Sequence, residues 1–170
     1  RLGTATDSGD ITGKVLENSP VNITKEKFEE VVMSFKGKQL QVPPMYSALK
    51  HNGKKLYELA REGIEIERKA RTVHIESIKI NEMNLNDEQK TVTFTVSCSK
   101  GTYIRTLCDD IGKKLGCGAC MMKLTRTKVG KFAIDDSFTL NQITALVLKG
   151  EFADYVIGVD DMFDYPHLTV

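Results

Sequence analysis

Two hydrophobic rhythms meet just past the middle of the chain. Val92, Phe94, Val96 and Cys98 stand two apart with Thr91, Thr93, Thr95 and Ser97 between them, the alternation of a strand with one covered face. Ile104, Leu107, Ile111 and Leu115 then recur three or four apart, the stripe of an amphipathic helix. Between the two lie Ser99, Lys100, Gly101, Thr102 and Tyr103, with Arg105 following in the first helical turn. A glycine turn between two rigid elements thus presents a tyrosine and an arginine together, the usual setting of a binding or catalytic loop.

The same reading extends along the chain. Residues 2–13 predict a strand end and a turn-rich loop, with Lys14, Val15 and Leu16 returning as a strand. Thr24 caps a helix whose Phe28, Val31, Val32 and Phe35 form an apolar stripe, and Gly37 stops it. Pro43 and Pro44 exclude regular structure over residues 41–45, so a loop presents Tyr46 and Lys50. Residues 54–61 predict a short helix ended by Gly63, and residues 64–68 alternate as a strand. Val73, Ile75, Ile78 and Ile80 mark a further strand whose even spacing breaks at Ser77, and residues 84–88 make a polar hairpin loop. Beyond Leu115, Gly116, Cys117 and Gly118 form a tight turn, and residues 121–129 predict a strand carrying Leu124 and Arg126. Thr139 and Gln142 fit a capping box for a last helix bearing Leu140, Ile143, Leu146 and Val147. Hairpin-like strands punctuated by helices predict an α+β fold with a mixed, largely antiparallel sheet flanked by helices.

With 170 residues, 41% hydrophobic and 28% charged, the chain can bury an ordinary core. No apolar run approaches the roughly 20 residues of a membrane helix, and no basic-then-apolar leader opens the sequence. The expectation is a soluble, cytoplasmic protein. The 24 Lys and Arg nearly balance the 23 Asp and Glu, but their distribution is uneven. Lys100, Arg105, Lys113, Lys114, Lys123, Arg126, Lys128 and Lys131 face only Asp109 and Asp110 over their stretch, residues 36–71 are also basic, and residues 135–164 are acidic. Tyr46, Tyr57 and Tyr103 lie among the basic residues, a mixture suited to phosphates and stacked bases, although basic runs are more often solvated surface.

Cys117 and Cys120 have the spacing of half a zinc or redox site. The other half is missing, since Cys98, Cys108, His51, His74 and His167 form no paired spacing with them. Structural thiols and no metal are expected.

Three stretches acquire meaning together: residues 42–50 (VPPMYSALK) with Gly53, Tyr57, Ala60 and Arg61; residues 98–106; and residues 116–119 through Leu124 and Arg126. In this order they resemble the bacterial TruB family of tRNA pseudouridine synthases. The resemblance implies a pseudouridine synthase fold, incomplete here, with residues 1–148 as part of the catalytic domain and residues 149–170 as the acidic start of a C-terminal extension. It implies isomerisation of a T-loop uridine of tRNA, no metal or organic cofactor, the tRNA T stem-loop as partner, and a monomer. Tyr103 matches the tyrosine against the flipped base, Leu124 an apolar pocket residue, and Arg105 the arginine that pairs with the catalytic aspartate. Lys100, Tyr46 and Lys50 would contribute to holding the RNA.

One departure stands out. The family's nucleophilic aspartate lies in a segment ending Leu-Asp-Pro, and no Asp-Pro occurs in this sequence. Asp7 and Asp10 match the loop after the first strand, and Asp109 and Asp110 the helix after Arg105, so none replaces it. The expectation is a synthase fragment that is inactive alone, beginning inside a longer protein. The alternative is an RNA-binding module without chemistry.

Overall fold

A computed structural model of the chain describes residues 1–158. Its contacts divide it into two compact units, Arg1–Leu124 and Thr125–Val170.

The first unit is built on a three-stranded antiparallel sheet. Strand β3 (Gly37–Gln41) pairs with β6 (Arg71–Asn84), and β6 pairs with β7 (Thr91–Cys98). Strand β6 solves a problem visible in its sequence. Val73 and Ile75 have odd numbers and Ile78 and Ile80 even ones, so a regular strand would point the pairs to opposite faces. A register shift between Ile75 and Ser77 inserts one residue and turns Ile78 back to the core, and a second between Ile80 and Glu82 does the same for Met83. The break expected at Ser77 is this bulge.

Helices α1 (Lys25–Met33) and α3 (Ile104–Leu115) pack with the sheet around Phe28, Val31, Val32, Ile75, Ile78, Leu107 and Ile111, all buried. The alternating Val92, Phe94, Val96 and Cys98 of β7 cover the same core. Thr24 caps α1 as expected, accepting from the Lys27 N–H at 3.2 Å. The helix ends at Ser34, however, and Gly37, at φ +97°, opens β3 instead of stopping α1. Strand β3 continues through Gln41, so the irregular stretch begins at Val42.

A hairpin of β1 (Thr4–Thr6) and β2 (Val15–Asn18) stands apart from the sheet. Residues 119–121 join its ends: Leu2 bridges Ala119 antiparallel and Asp10 bridges Met121 in parallel. This replaces the strand expected over residues 121–129, of which only Lys128 and Val129 are extended, as β8 in the second unit. Gly112 of α3 makes the close approach possible, because a Cβ there would collide with the Ala119 backbone nitrogen.

Residues 45–66 form a satellite. A two-residue turn at Asn52 and Gly53, both at positive φ, links β4 (Lys50–His51) to β5 (Lys54–Lys55), and α2 (Leu56–Arg61) follows. The helix predicted from residue 54 therefore starts two residues later. Met45, Leu56 and Leu59 make its small core, with Leu49, Ala60 and Ile66 against them. Residues 64–68 are irregular, contrary to the alternation: Ile66 is drawn to this cluster, and no neighbouring strand pairs with the segment.

The second unit holds the β8–β9 (Phe132–Ala133) hairpin and α4 (Leu140–Lys149), which carries the expected Thr139–Gln142 capping box. Leu140 and Val147 of its apolar stripe are exposed. Phe138 and Tyr155 meet edge to face at 5.0 Å. Asp160, Asp161 and Asp164 of the acidic stretch lie outside the described residues. Among the described residues no helix is long and apolar enough to cross a membrane.

Candidate active site

The candidate site grows from the turn between β7 and α3. Gly101, at φ +82°, lets the chain reverse, the Ser99 N–H donates to the His74 carbonyl at 2.8 Å, and the Thr102 hydroxyl donates to the Ser99 carbonyl at 2.8 Å. The turn delivers Tyr103 in extended geometry as the N-cap of α3. Tyr103 offers no side-chain cap. Its main chain is instead gripped by Gln41 at the end of β3: the Tyr103 N–H donates to Gln41 Oε1 at 2.7 Å, and Gln41 Nε2 donates to the Tyr103 carbonyl at 3.0 Å. Gln41 is only 5% exposed. Sequence reasoning missed it, and a partner 62 residues away leaves no local signal.

Arg105 lies one residue into α3. Its Nη2 donates to the Tyr46 carbonyl at 2.7 Å, tying the helix to the loop after Pro43 and Pro44. Among the described residues no carboxylate lies within ion-pair distance of the guanidinium. The β1–β2 loop comes against the same place, since a Cβ on Gly9 would sit 3.1 Å from the Arg105 carbonyl oxygen. Together they enclose an open cleft of about 310 Å³ lined by Asp7, Ser8, Asp10, Thr12, Gly13, Lys14, Tyr46 and Arg105.

The loop is held by its own acids. Asp7 Oδ1 accepts from the Lys14 N–H at 2.9 Å, while Asp10 Oδ1 accepts from the Thr12 N–H at 3.0 Å and from the Thr12 hydroxyl at 2.7 Å. The Thr6 hydroxyl donates to the Asp10 carbonyl at 2.8 Å. Two carboxylates bound to backbone amides therefore share one cleft with a guanidinium that still has free donors, and it is the planar guanidinium that suits a further carboxylate.

The sequence-predicted residues are distributed unevenly. Arg105 and Tyr46 line the cleft, whereas Tyr103, two residues before Arg105 and held by Gln41, is outside that lining. Lys50, Lys100 and Leu124 are exposed and outside the cleft lining. Of the basic stretch, Lys100, Arg105, Lys113, Lys114 and Lys123 belong to the first unit, and Arg126, Lys128 and Lys131 to the second. Lys113 pairs with Asp109 at 2.6 Å, and Lys114 donates to the Ser34 hydroxyl at 2.6 Å. Tyr57 has Lys55 Nζ 5.4 Å and the Arg61 guanidinium 5.3 Å from its ring centre, which makes a cationic aromatic patch on the satellite.

Cys117 and Cys120 are buried and free, and burial pushes both thiols up. They are poor nucleophiles at neutral pH. Among the described residues no group of three or more His, Cys, Asp or Glu side chains could hold a metal ion.

Comparison with known proteins converges on one family. The family model described as TruB family pseudouridylate synthase (N terminal domain) matches residues 1–104, and that of the tRNA pseudouridylate synthase B C-terminal domain matches residues 105–162. The tRNA pseudouridine synthase B of Nitrosococcus oceani is 51% identical over 147 residues, which are 86% of this chain and 46% of that protein. The Clostridium acetobutylicum protein of the same name is 48% identical over 171 residues, covering 100% of this chain and 56% of its own. For the Bacillus subtilis protein of that name the figures are 47% identity, 94% and 52%. The chain thus spans about half the length of these relatives. Among solved structures, a crystal structure of a Cbf5-Nop10-Gar1 complex matches with a TM-score of 0.58 and 29% identity, over 79% of this chain and 36% of that one. That likeness puts the antiparallel sheet and its flanking helices in the pseudouridine synthase fold. With a family model covering residues 1–104 and near-50% identity to its members, the chain belongs to the TruB family of pseudouridylate synthases.

Proposed function

We propose that this chain is part of a tRNA pseudouridine synthase that isomerises a uridine in the T loop. The observation that carries the reading is Arg105, anchored to the Tyr46 carbonyl and without a carboxylate partner among the described residues, facing an open cleft at a strand-to-helix junction. A permanently charged, planar guanidinium held in that way suits a carboxylate that must stay ionised and aimed at the sugar of the target nucleotide. The isomerisation breaks the C–N glycosidic bond, rotates the base and forms a C–C bond, so it requires no metal or organic cofactor.

A uridine in a folded RNA loop has to leave its stack, at a cost of a few kcal/mol. In this reading Tyr103 packs against the extruded base, Leu124 adds apolar surface to the pocket, and Lys100, Lys50 and Tyr46 hold the flanking RNA. Residues 1–148 contribute to the catalytic domain and residues 149–170 begin a C-terminal extension. The protein works as a monomer in the cytoplasm. The attacking carboxylate comes from an Asp-Pro segment that these 170 residues do not contain, so this chain alone binds RNA without turning it over.

The substrate is tested by giving the complete protein two stem-loop RNAs, one from the T arm and one from the anticodon arm of the same tRNA, and mapping pseudouridine chemically. Modification of the T-loop RNA alone is expected. Modification of the anticodon RNA at an equal rate would overturn the assignment.

A further inference from the structure

We propose that Gln41 is a positioning residue for the isomerisation, holding Tyr103 and Arg105 in their working geometry through the Tyr103 main chain. The inference rests on the synthase reading above and adds to it a residue that touches neither base nor nucleophile.

The geometry carries the argument. Gln41 is a buried amide at the last position of β3, and both of its polar atoms are spent on one residue, accepting from the Tyr103 N–H at 2.7 Å and donating to the Tyr103 carbonyl at 3.0 Å. Only one orientation of the amide satisfies both bonds, so the pair fixes the plane of the Tyr103 peptide groups as well as their position. It acts as a one-residue extension of the sheet, made by a side chain. Tyr103 is where such control matters, because it is the N-cap of α3 and lacks a capping side chain of its own.

The same short segment is fastened again five residues later, where the Tyr46 carbonyl accepts from Arg105. Between the two fastenings stand Pro43 and Pro44, whose fixed φ angles stiffen the link. The segment from Gln41 to Tyr46 is therefore a strap across the strand-to-helix junction, bound at one end to the tyrosine and at the other to the arginine. Loosening the Gln41 end frees both catalytic side chains, and misplacement of reacting groups by about 1 Å can cost on the order of 100-fold in rate.

The test compares Gln41→Met, which keeps shape and removes both bonds, with Gln41→Glu, which keeps the acceptor for the Tyr103 N–H and loses the donor. Gln39→Met on the same strand is the control. Single-turnover rate and RNA affinity are measured in the complete protein on a T stem-loop, together with hydrogen exchange at the Tyr103 amide. Gln41→Met is expected to slow the chemical step by roughly 10- to 100-fold, leave RNA affinity within about threefold, and lose protection at Tyr103 while the β6 amides keep theirs. Gln41→Glu should fall between it and wild type, and it carries the test should Gln41→Met not fold. Rates within threefold of wild type for both variants would overturn the proposal, as would equal losses of rate, affinity and β6 protection, which denote a merely structural role. A complete wild-type protein that makes no pseudouridine overturns the synthase reading itself. That outcome is distinct, because failure of the Gln41 assignment alone leaves wild type active.

Discussion

Arg105 is the residue to which the proposed chemistry assigns the attacking carboxylate, and its surroundings say what replacing it does. Its guanidinium keeps one donor on the Tyr46 carbonyl and has others facing the cleft. Arg105→Ala in the complete protein should lower the single-turnover rate by more than about 100-fold, the scale on which a preorganised electrostatic partner acts, while RNA affinity changes by less than about threefold. Arg105→Lys should recover little, since a point charge cannot hold the carbonyl and a carboxylate in one fork. Near-normal turnover by either variant would contradict the role. A second residue, Cys108, reports on the half-buried side of α3. Burial pushes the Cys108 thiol from about 9 up to about 11. Between those values the native protein keeps a proton that the unfolded chain releases, so stability falls as pH rises through the window. Denaturant unfolding from pH 8 to 10.5 should show wild type losing stability faster than Cys108→Ala, and parallel curves would contradict it.

Among the elements, α3 packs closely against residues 118–119, and residues 119–121 bridge in turn to the ends of the β1–β2 hairpin. Gly112→Ala puts a methyl group into the Ala119 backbone and should destabilise the protein by roughly 3 kcal/mol, the upper range for overpacking. A melting temperature unchanged within a degree would show that the approach is looser. Elements were legible in the sequence where local periodicity and local chemistry coincide: the caps at Thr24 and Thr139, the alternation of β7, the stripe of α3 and the bulge in β6. They were misread where distant partners decide. Residues 64–68 alternate like a strand yet have no strand beside them, and residues 121–127 are fixed by the bridge of Met121 to Asp10 and by the Thr127 carbonyl, which accepts from the Ile134 N–H at 2.8 Å. The site shows the same division. Tyr103 and Arg105 stood out because glycine and the change of period bracket them, whereas the Gln41 clamp and the approach of the Asp7–Asp10 loop depend on contacts between segments far apart in sequence.

For the whole molecule, an almost neutral chain with locally basic segments should bind RNA chiefly through phosphates. Log affinity for a T stem-loop should fall linearly with log salt, whereas the rate of the bound complex stays nearly constant. Affinity indifferent to salt would argue against that mode of binding. The larger question is whether the cleft described here is one part of a divided active site. The most direct measurement is pseudouridine formation on a T stem-loop under single-turnover conditions, comparing these 170 residues with a protein that also carries the Asp-Pro segment. RNA binding by both and product from the longer protein alone are expected. Product from the 170 residues would contradict it, and so would a longer protein that binds the RNA and leaves its uridine unchanged.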